Sequence, residues 1–574
     1  MSEAARNKTM RLDAGPFLAP LARRLAAGEH ADLLAPLRLV DPSTGRLPPS
    51  PALDDPELAR RRAVLAGELG RRNRELGHPR ADELAARLAD PATRVLVTGQ
   101  QPGLFGGPLY ALSKLLAAVR WAEELERSEA SPALALFWMA TEDHDFAEVA
   151  HCLMPLGADG GLERLELPDD GRDLVPVGRR AIGAGVVALL DRLRAVAATE
   201  RQAEWTDRLA DLYRPERTFG EAFAVLMLEL LGARCPLFVD ALDPGFKAVQ
   251  RDVLRTLIER REEVADALER RHDEIARRGL PHQVAPQPDC SPLFLLAPDA
   301  AGDEPRRRRL QWAEVDGVPG WRVRGGDARG PIAELLSVLE HEPERIGPGA
   351  LARPAVQDAM LGTAAFLVGP GELSYLIQAS ALHPVLGVAA PAVALRPQLV
   401  LLDERRQSHL AEMMVAGLEP SLVLGGEEEL EAALARAAGD DPVAPCCSDV
   451  LEAVDRLRAP AEALDPQLEA AWEKTRAQVE RALEAFNGRV RSARARSDEV
   501  LRQRIDTLRR LCLPDGGLQE RRVCVGWFPG LYGPGLALRL LQRMDLSPGS
   551  IQLLDPAAED GAGVAFPAEA VARP

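Results

Sequence analysis

Glu142, Asp143, His144 and Asp145 place three carboxylates and an imidazole in four consecutive positions. Like charges this close raise at least one pKa, which suits general acid or base work, with Asp143 or His144 as the natural base. The same residues, with His151, also suit a divalent ion, but their spacing matches no metal signature. A metal-dependent hydrolase or transferase built on Glu142–Asp145 is therefore the alternative chemistry, and a solvated acidic loop the plainest reading. Upstream lies VTGQQPGLFGGPLYALSK (97–114), with four glycines and two prolines within ten residues. Thr98, Gly99, Gly103, Gly106, Pro108, Tyr110 and Lys114 make it a candidate binding surface, and the amides of Gln100 and Gln101 both donate and accept hydrogen bonds. Its glycines fit neither G-x-G-x-x-G nor G-x-x-x-x-G-K-[ST], so it is neither a dinucleotide fingerprint nor a P-loop. A third segment, RPAVQDAMLGTAAFLVGPGELSYLIQAS (353–380), offers Gln357, Asp358, Gly371, Glu372, Tyr375 and Gln378. Trp138, just before the carboxylates, and His282 and Gln283 in GLPHQVAP (279–286) complete the candidate binding residues.

Strand-like runs must position these groups: TRVLVT (93–98), LALFWMA (134–140), CPLFVD (235–240), AAFLV (364–368) and PAVAL (391–395). Helical patterns separate most of them, which predicts an α/β fold with a mostly parallel sheet covered on both faces. The carboxylates then sit at the carboxyl end of a central strand, where open sheets bind ligands. A helix is expected to start near Gly107, with Pro108 at its first position and free N–H groups facing an anion. If the 364–368 strand lies beside the 93–98 strand, two helix N-termini converge on one crevice.

The expected organisation is a helical segment 1–90, a first core half 91–151, an insertion 152–234, a core strand and helix 235–279, a second insertion 280–350, a second core half 351–420, a helical coiled-coil domain 421–512 and a return to the core at 513–574. The coiled coil rests on a heptad seam at Val479, Leu483, Phe486, Val490 and Ala493, which continues after a one-residue shift at Leu501, Ile505, Leu508 and Cys512. Such a stripe pairs with another subunit or packs on its own domain.

The chain has 574 residues and a net charge of −17, which disfavours a nucleic-acid partner. No apolar run is long enough for a membrane span, and MSEAARNKTMRL has no apolar signal core, so a cytoplasmic protein is expected. Seven cysteines without a C-x-x-C pair read as reduced thiols.

Taken in order, VTGQQPGLFGGPLYALSKLLAAVR, FWMATEDHDFAEVAH, RPAVQDAMLGTAAFLVGPGELSYLIQ and LPDGGLQERR…GLYG resemble the cysteine-adding enzymes of bacillithiol biosynthesis. The resemblance implies a Rossmann-like core related to nucleotidyltransferases and class I aminoacyl-tRNA synthetases, connecting insertions and a coiled coil that forms a homodimer. It implies a ligase that joins the carboxyl group of L-cysteine to the amine of glucosaminyl malate. It also implies ATP or another adenine nucleotide near the coiled-coil side, where Tyr532 and Gly533 of the GLYG turn are the candidate contacts, with Mg2+ as a conceivable companion. On this reading the glycine loop holds a phosphate or the malate carboxylates, Lys114 offsets their charge, and Asp143 or His144 deprotonates the amine. The first junction reads GGPLY where synthetase-like relatives carry His-x-Gly-His, and no K-M-S-K-S element occurs. A dimeric scaffold without catalysis is the third reading.

Overall fold

The apolar runs and the helices between them form a six-stranded parallel sheet in the computed structural model. The structure describes residues 10–18, 20–34, 37–48, 55–156, 161–285, 287, 289–298, 304–438 and 443–557. The strands are β1 (Arg38–Leu39), β2 (Arg94–Gln100), β3 (Ala133–Met139), β4 (Leu237–Asp240), β5 (Thr363–Val368) and β6 (Ala392–Leu395). Their spatial order is β1-β6-β5-β2-β3-β4, with every neighbouring pair parallel. From β2 the chain moves outward through β3 to β4, then returns to the other side of β2 at β5. The strand order therefore reverses between β2 and β5, the place where a sheet of this kind opens a ligand crevice.

Side chains alternate across the sheet with the period of two that strands impose. Leu96, Phe137 and Met139 enter one core with Leu112, Leu115 and Leu116. Val95, Val97, Leu136 and Trp138 enter the core on the other face, with Phe246 and Leu373. Helix α1 (Leu109–Glu129) follows β2, α2 (Pro244–Glu259) follows β4, α3 (Arg353–Leu361) precedes β5, and α4 (Pro370–Ala379) follows it. Pro108 is the extended residue before α1 and not its first helical residue, because it forms an antiparallel bridge with Cys524.

Residues 290–348 build a separate antiparallel sheet, in the order 329–331, 318–323, 306–315, 290–297, 346–348. The N-terminal segment, expected to be helical, holds the helices Pro56–Glu75 and Ala81–Ala89. It also gives β1 to the main sheet and Met10–Asp13 to a strand pairing with Ser550–Leu554. Partners so distant in sequence leave no local periodicity to read.

The chain divides into two units: residues up to 401 together with those from 517 onward, and residues 402–516. The second unit is built on α5 (Leu468–Cys512), whose 45 residues span about 70 Å. Its end is buried at Ile505, Leu508 and Cys512, and Arg509 donates to the Leu422 carbonyl at 3.0 Å. Its start is tied by Trp472, which donates to the Val454 carbonyl at 3.0 Å, and by Arg476 against Asp455 at 2.7 Å. Between them Phe486 is 54 % exposed, and Val479, Leu483 and Val490 are half-buried. The side chain of Ala493 lies outside the described residues. All seven cysteines are free thiols, and no described helix is long and apolar enough to cross a membrane.

Candidate active site

At the first strand–helix junction the glycines face the chain itself. Gly106 has φ +89° and Gly107 φ +63°. A Cβ on Gly106 would lie 2.8 Å from Leu226 Cδ2 and 2.9 Å from Val525 Cβ. The N–H of Gly106 donates to the Tyr213 hydroxyl at 2.7 Å, that of Gly107 to Leu104 O at 3.0 Å and that of Leu109 to Val523 O at 2.9 Å. Gly103, Gly106 and Gly107 are buried. The Gly106, Gly107 and Leu109 N–H groups, expected to face an anion at this helix start, are thus taken up by the chain itself, with segment 523–525 packed on the loop. Thr98 is fully buried and donates to Leu367 O at 2.9 Å, tying β2 to β5. Gly99 is small because a Cβ would meet the Trp138 carbonyl at 2.6 Å, and Trp138 is itself buried in the core. These residues position the crevice and do not line it.

Lys114 is expected to offset the negative charge of a ligand. It is 3 % exposed, and its ammonium donates to Gly99 O at 2.8 Å, Gln100 Oε1 at 2.9 Å and Glu372 Oε2 at 2.5 Å. These three contacts use all three N–H bonds of an ammonium. Burial lowers its pKa, and Glu372 opposes that shift. Lys114 is thus a strut joining the two junctions. Gln100 passes the tie on, donating to the Tyr110 hydroxyl at 3.2 Å. Burial, helped by Glu148, pushes that phenol up to about 12, so it stays protonated.

The four-residue acidic run splits in several directions, so it does not converge on one ion. Glu142 is 6 % exposed and pairs with Lys247 of α2 at 2.8 Å. Lys247 also donates to Gln250 Oε1 at 3.2 Å and Ile346 O at 3.3 Å. Asp145 caps the short helix Phe146–Val149, accepting from the Glu148 N–H at 3.1 Å. His151 bonds the Ala147 carbonyl at 2.7 Å. Among the described residues no three His, Cys, Asp or Glu side chains are grouped to hold a metal. Asp143 stays at the crevice, accepting from Gln101 Nε2 at 2.6 Å through one oxygen and from the His144 N–H at 2.7 Å through the other.

Two partners were not foreseen. Glu148 is exposed and within hydrogen-bonding reach of Gln101. Partial desolvation, followed by Asp143 and Asp145, raises its pKa. Its place one helical turn after the Asp145 cap was the available sequence signal. Arg307, from the strand Arg306–Val315, stacks over Phe294 at 3.8 Å and brings Nη1 within 3.3 Å of His144 Nδ1. Burial and then Arg307 lower the His144 pKa. One arginine in a run of four carries no distinguishing mark in the sequence.

At the second junction β5 lies beside β2, so the starts of α1 and α4 do flank one crevice. Glu372 accepts from the Gly369 N–H at 2.7 Å as well as from Lys114, and Gly371 is exposed with open space where a Cβ would be. Arg353 donates to Tyr375 at 2.8 Å and to Gln357 at 2.9 Å, over the Phe366 ring at 5.5 Å. Gln357 and Asp358 are buried, the latter against His383 at 2.8 Å. His282 bonds the His272 carbonyl at 2.9 Å, and its loop docks on Gln378 through Val284. Gln378 lies eight residues into α4, about 12 Å from its start, which puts His282 and Gln283 at the far end of the sheet. Tyr532 ends the helix Phe528–Tyr532 in the first unit, followed by Gly533 at φ +81°.

Fold and site together define a Rossmann-like α/β protein with a carboxylate-bearing crevice at its topological switch point. Residues 52–397 match the N-terminal Rossmann-like domain of the bacillithiol biosynthesis BshC family, and residues 400–555 match its C-terminal coiled-coil domain. The chain belongs to that family. It is 31 % identical over 494 residues to a protein of Solibacter usitatus named "Putative cysteine ligase BshC", covering 85 % of this chain and 88 % of the relative. A relative of the same name from Salinibacter ruber is 30 % identical over 504 residues, with the same coverage. A third, from Chlorobaculum tepidum, is 29 % identical over 500 residues, covering 83 % and 85 %.

Proposed function

We propose that this chain is a cysteine ligase, forming the amide between the carboxyl group of L-cysteine and the amine of glucosaminyl malate in bacillithiol biosynthesis. The observation that carries the reading is Gln101, which holds Asp143 and reaches Glu148 at the carboxyl ends of β2 and β3, in a chain whose relatives are named as cysteine ligases. The amine attacks only when neutral, so its ammonium must lose a proton. Glu148 is the better base: it is exposed and its raised pKa brings it closer to the amine. Both Asp143 oxygens already accept hydrogen bonds, which suits that residue to orienting Gln101. Gln100, Gln101 and the open turn at Gly371–Glu372 are the groups available to sugar hydroxyls and to the malate carboxylates.

ATP or another adenine nucleotide, accompanied by Mg2+, would supply activation of the cysteine carboxylate. Tyr532 and Gly533 remain the residues proposed to contact it. The exposed Phe486 stripe of α5 favours a homodimer, and a cytoplasmic enzyme fits this metabolism. The test is to mix the protein with L-cysteine, glucosaminyl malate and ATP·Mg2+ and to follow the products by mass. The expected product has the summed mass of the two substrates less one water. No product with ATP, with other nucleoside triphosphates or with a preactivated cysteine ester would overturn the reading.

A further inference from the structure

We infer that Arg307 fixes the tautomer of His144, so that the imidazole meets the crevice as a neutral Nε2–H donor and not as a base. Arg307 is delivered by the insertion sheet and held on both sides: its plane lies on Phe294 and Nη2 donates to the Pro348 carbonyl at 3.2 Å. Nη1 then lies 3.3 Å from His144 Nδ1. A guanidinium has no acceptor, so this hydrogen bond exists only if Nδ1 carries a lone pair. A neutral imidazole with a bare Nδ1 bears its proton on Nε2. Nε2 has no partner among the described residues, and the His144 side chain is 29 % exposed.

The charged groups facing this ring are Asp143 and Asp145 from its own turn, Arg180 from the 152–234 insertion and Arg307 from the insertion sheet. The nearest carboxylate oxygen, Asp143 Oδ1, is 3.7 Å from Nδ1, farther than Arg307. The two arginines and the partial burial of the ring oppose protonation, and the two aspartates favour it. In the ligase reading, on which this one assignment rests, Nε2–H points at the carboxyl oxygen that gains charge as the amine nitrogen bonds to carbon. Arg307 is then a positioning residue, and proton removal falls to Glu148.

The test is imidazole 15N–1H correlation NMR of the full chain, with His144 identified by the signal lost in His144→Gln. The wild type should show a bare Nδ1 and a protonated Nε2 across the neutral range. An Nδ1–H form or an imidazolium at neutral pH would overturn the inference whatever the Arg307 variants show. Arg307→Lys, which keeps a cationic donor, should retain the wild-type pattern. Arg307→Met should raise the His144 pKa by about one unit or more, as expected for removing a neighbouring like charge. An unchanged titration in a folded Arg307→Met protein would refute the role of Arg307. The readout needs no turnover, so a protein lacking ligase activity can still support the tautomer, and an active ligase can still refute it.

Discussion

Gly106→Ala separates two meanings of the glycine-rich junction. If the glycines let a ligand approach, a methyl there weakens binding and leaves folding alone; if they let the chain approach itself, it destabilises the fold. The new Cβ would sit 2.8 Å from Leu226 Cδ2 and 2.9 Å from Val525 Cβ, distances that force the core to move. Overpacking of this kind costs about 1–3 kcal/mol. The φ of +89° adds about 1–2 kcal/mol for an L residue. The stiffer unfolded chain returns about 0.4–1 kcal/mol. The net is about 3 kcal/mol, which lowers the urea unfolding midpoint by less than about 1 M, since the m-value of a chain this long exceeds the roughly 3 kcal/mol/M of small proteins. Gly107→Ala is the internal control. Its Cβ would meet only Gly103 at 3.6 Å, an ordinary contact, so the overpacking is absent and only backbone strain of about 1–3 kcal/mol remains, because φ +63° with ψ −167° is essentially confined to glycine. Tryptophan fluorescence and far-ultraviolet circular dichroism across a urea titration read both variants. Equal midpoints for Gly106→Ala and wild type, together with weakened acceptor binding, would refute the packing argument.

Lys247→Met leaves the buried Glu142 without its cation and should cost about 3–5 kcal/mol in urea unfolding, while adding Glu142→Gln should recover part of that loss; identical single and double variants would contradict a buried pair. Glu148→Gln should lower kcat by about 10²–10⁴ and remove the acidic limb of the pH–rate profile, since the wild-type base ionises above the usual carboxylate range. The same raised pKa has a stability sign: the folded state binds this proton more tightly, so its contribution is present at acid pH and lost as pH rises through the raised value, which a proton-uptake or pH-resolved melting series would register. Phe486→Asp should convert a dimer to a monomer by light scattering without changing the helical circular dichroism; an unchanged mass would place the association elsewhere.

The main sheet was legible because its strands are short apolar runs flanked by helical periodicity, and β2, β3, β4, β5 and β6 fall where Val95–Val97, Leu134–Met139, Leu237–Val239, Ala364–Val368 and Ala392–Leu395 mark them. The neighbouring placement of the two strand–glycine–helix junctions was also legible, because both segments announce themselves. The function of each polar residue was not. Gly106, Thr98 and Lys114 look like ligand groups in a one-dimensional pattern, and only the third dimension supplies Val525, Leu367 and Glu372 as their true neighbours. Arg307 reaches the His144 imidazole and Lys247 the Glu142 carboxylate from segments more than a hundred residues away, and no local rule connects them. Glu142 shows the same limit from the other side: its neighbours in sequence suggested a shared metal, while a distant lysine claims it.

The closure of the glycine loop by its own chain has a consequence for biosynthesis. Cys524 bonds the carbonyl of Phe105 from 419 residues further along. At translation rates of about 5–20 residues per second, that separation corresponds to roughly 20–80 s. For this interval the nascent loop has nothing where Val525 will sit, and Leu226 joins its flank only part-way through. The α/β core therefore reaches its final packing only after Val525 has been made, and a ribosome stalled before Val523 would carry an unclosed apolar seam for chaperones to hold.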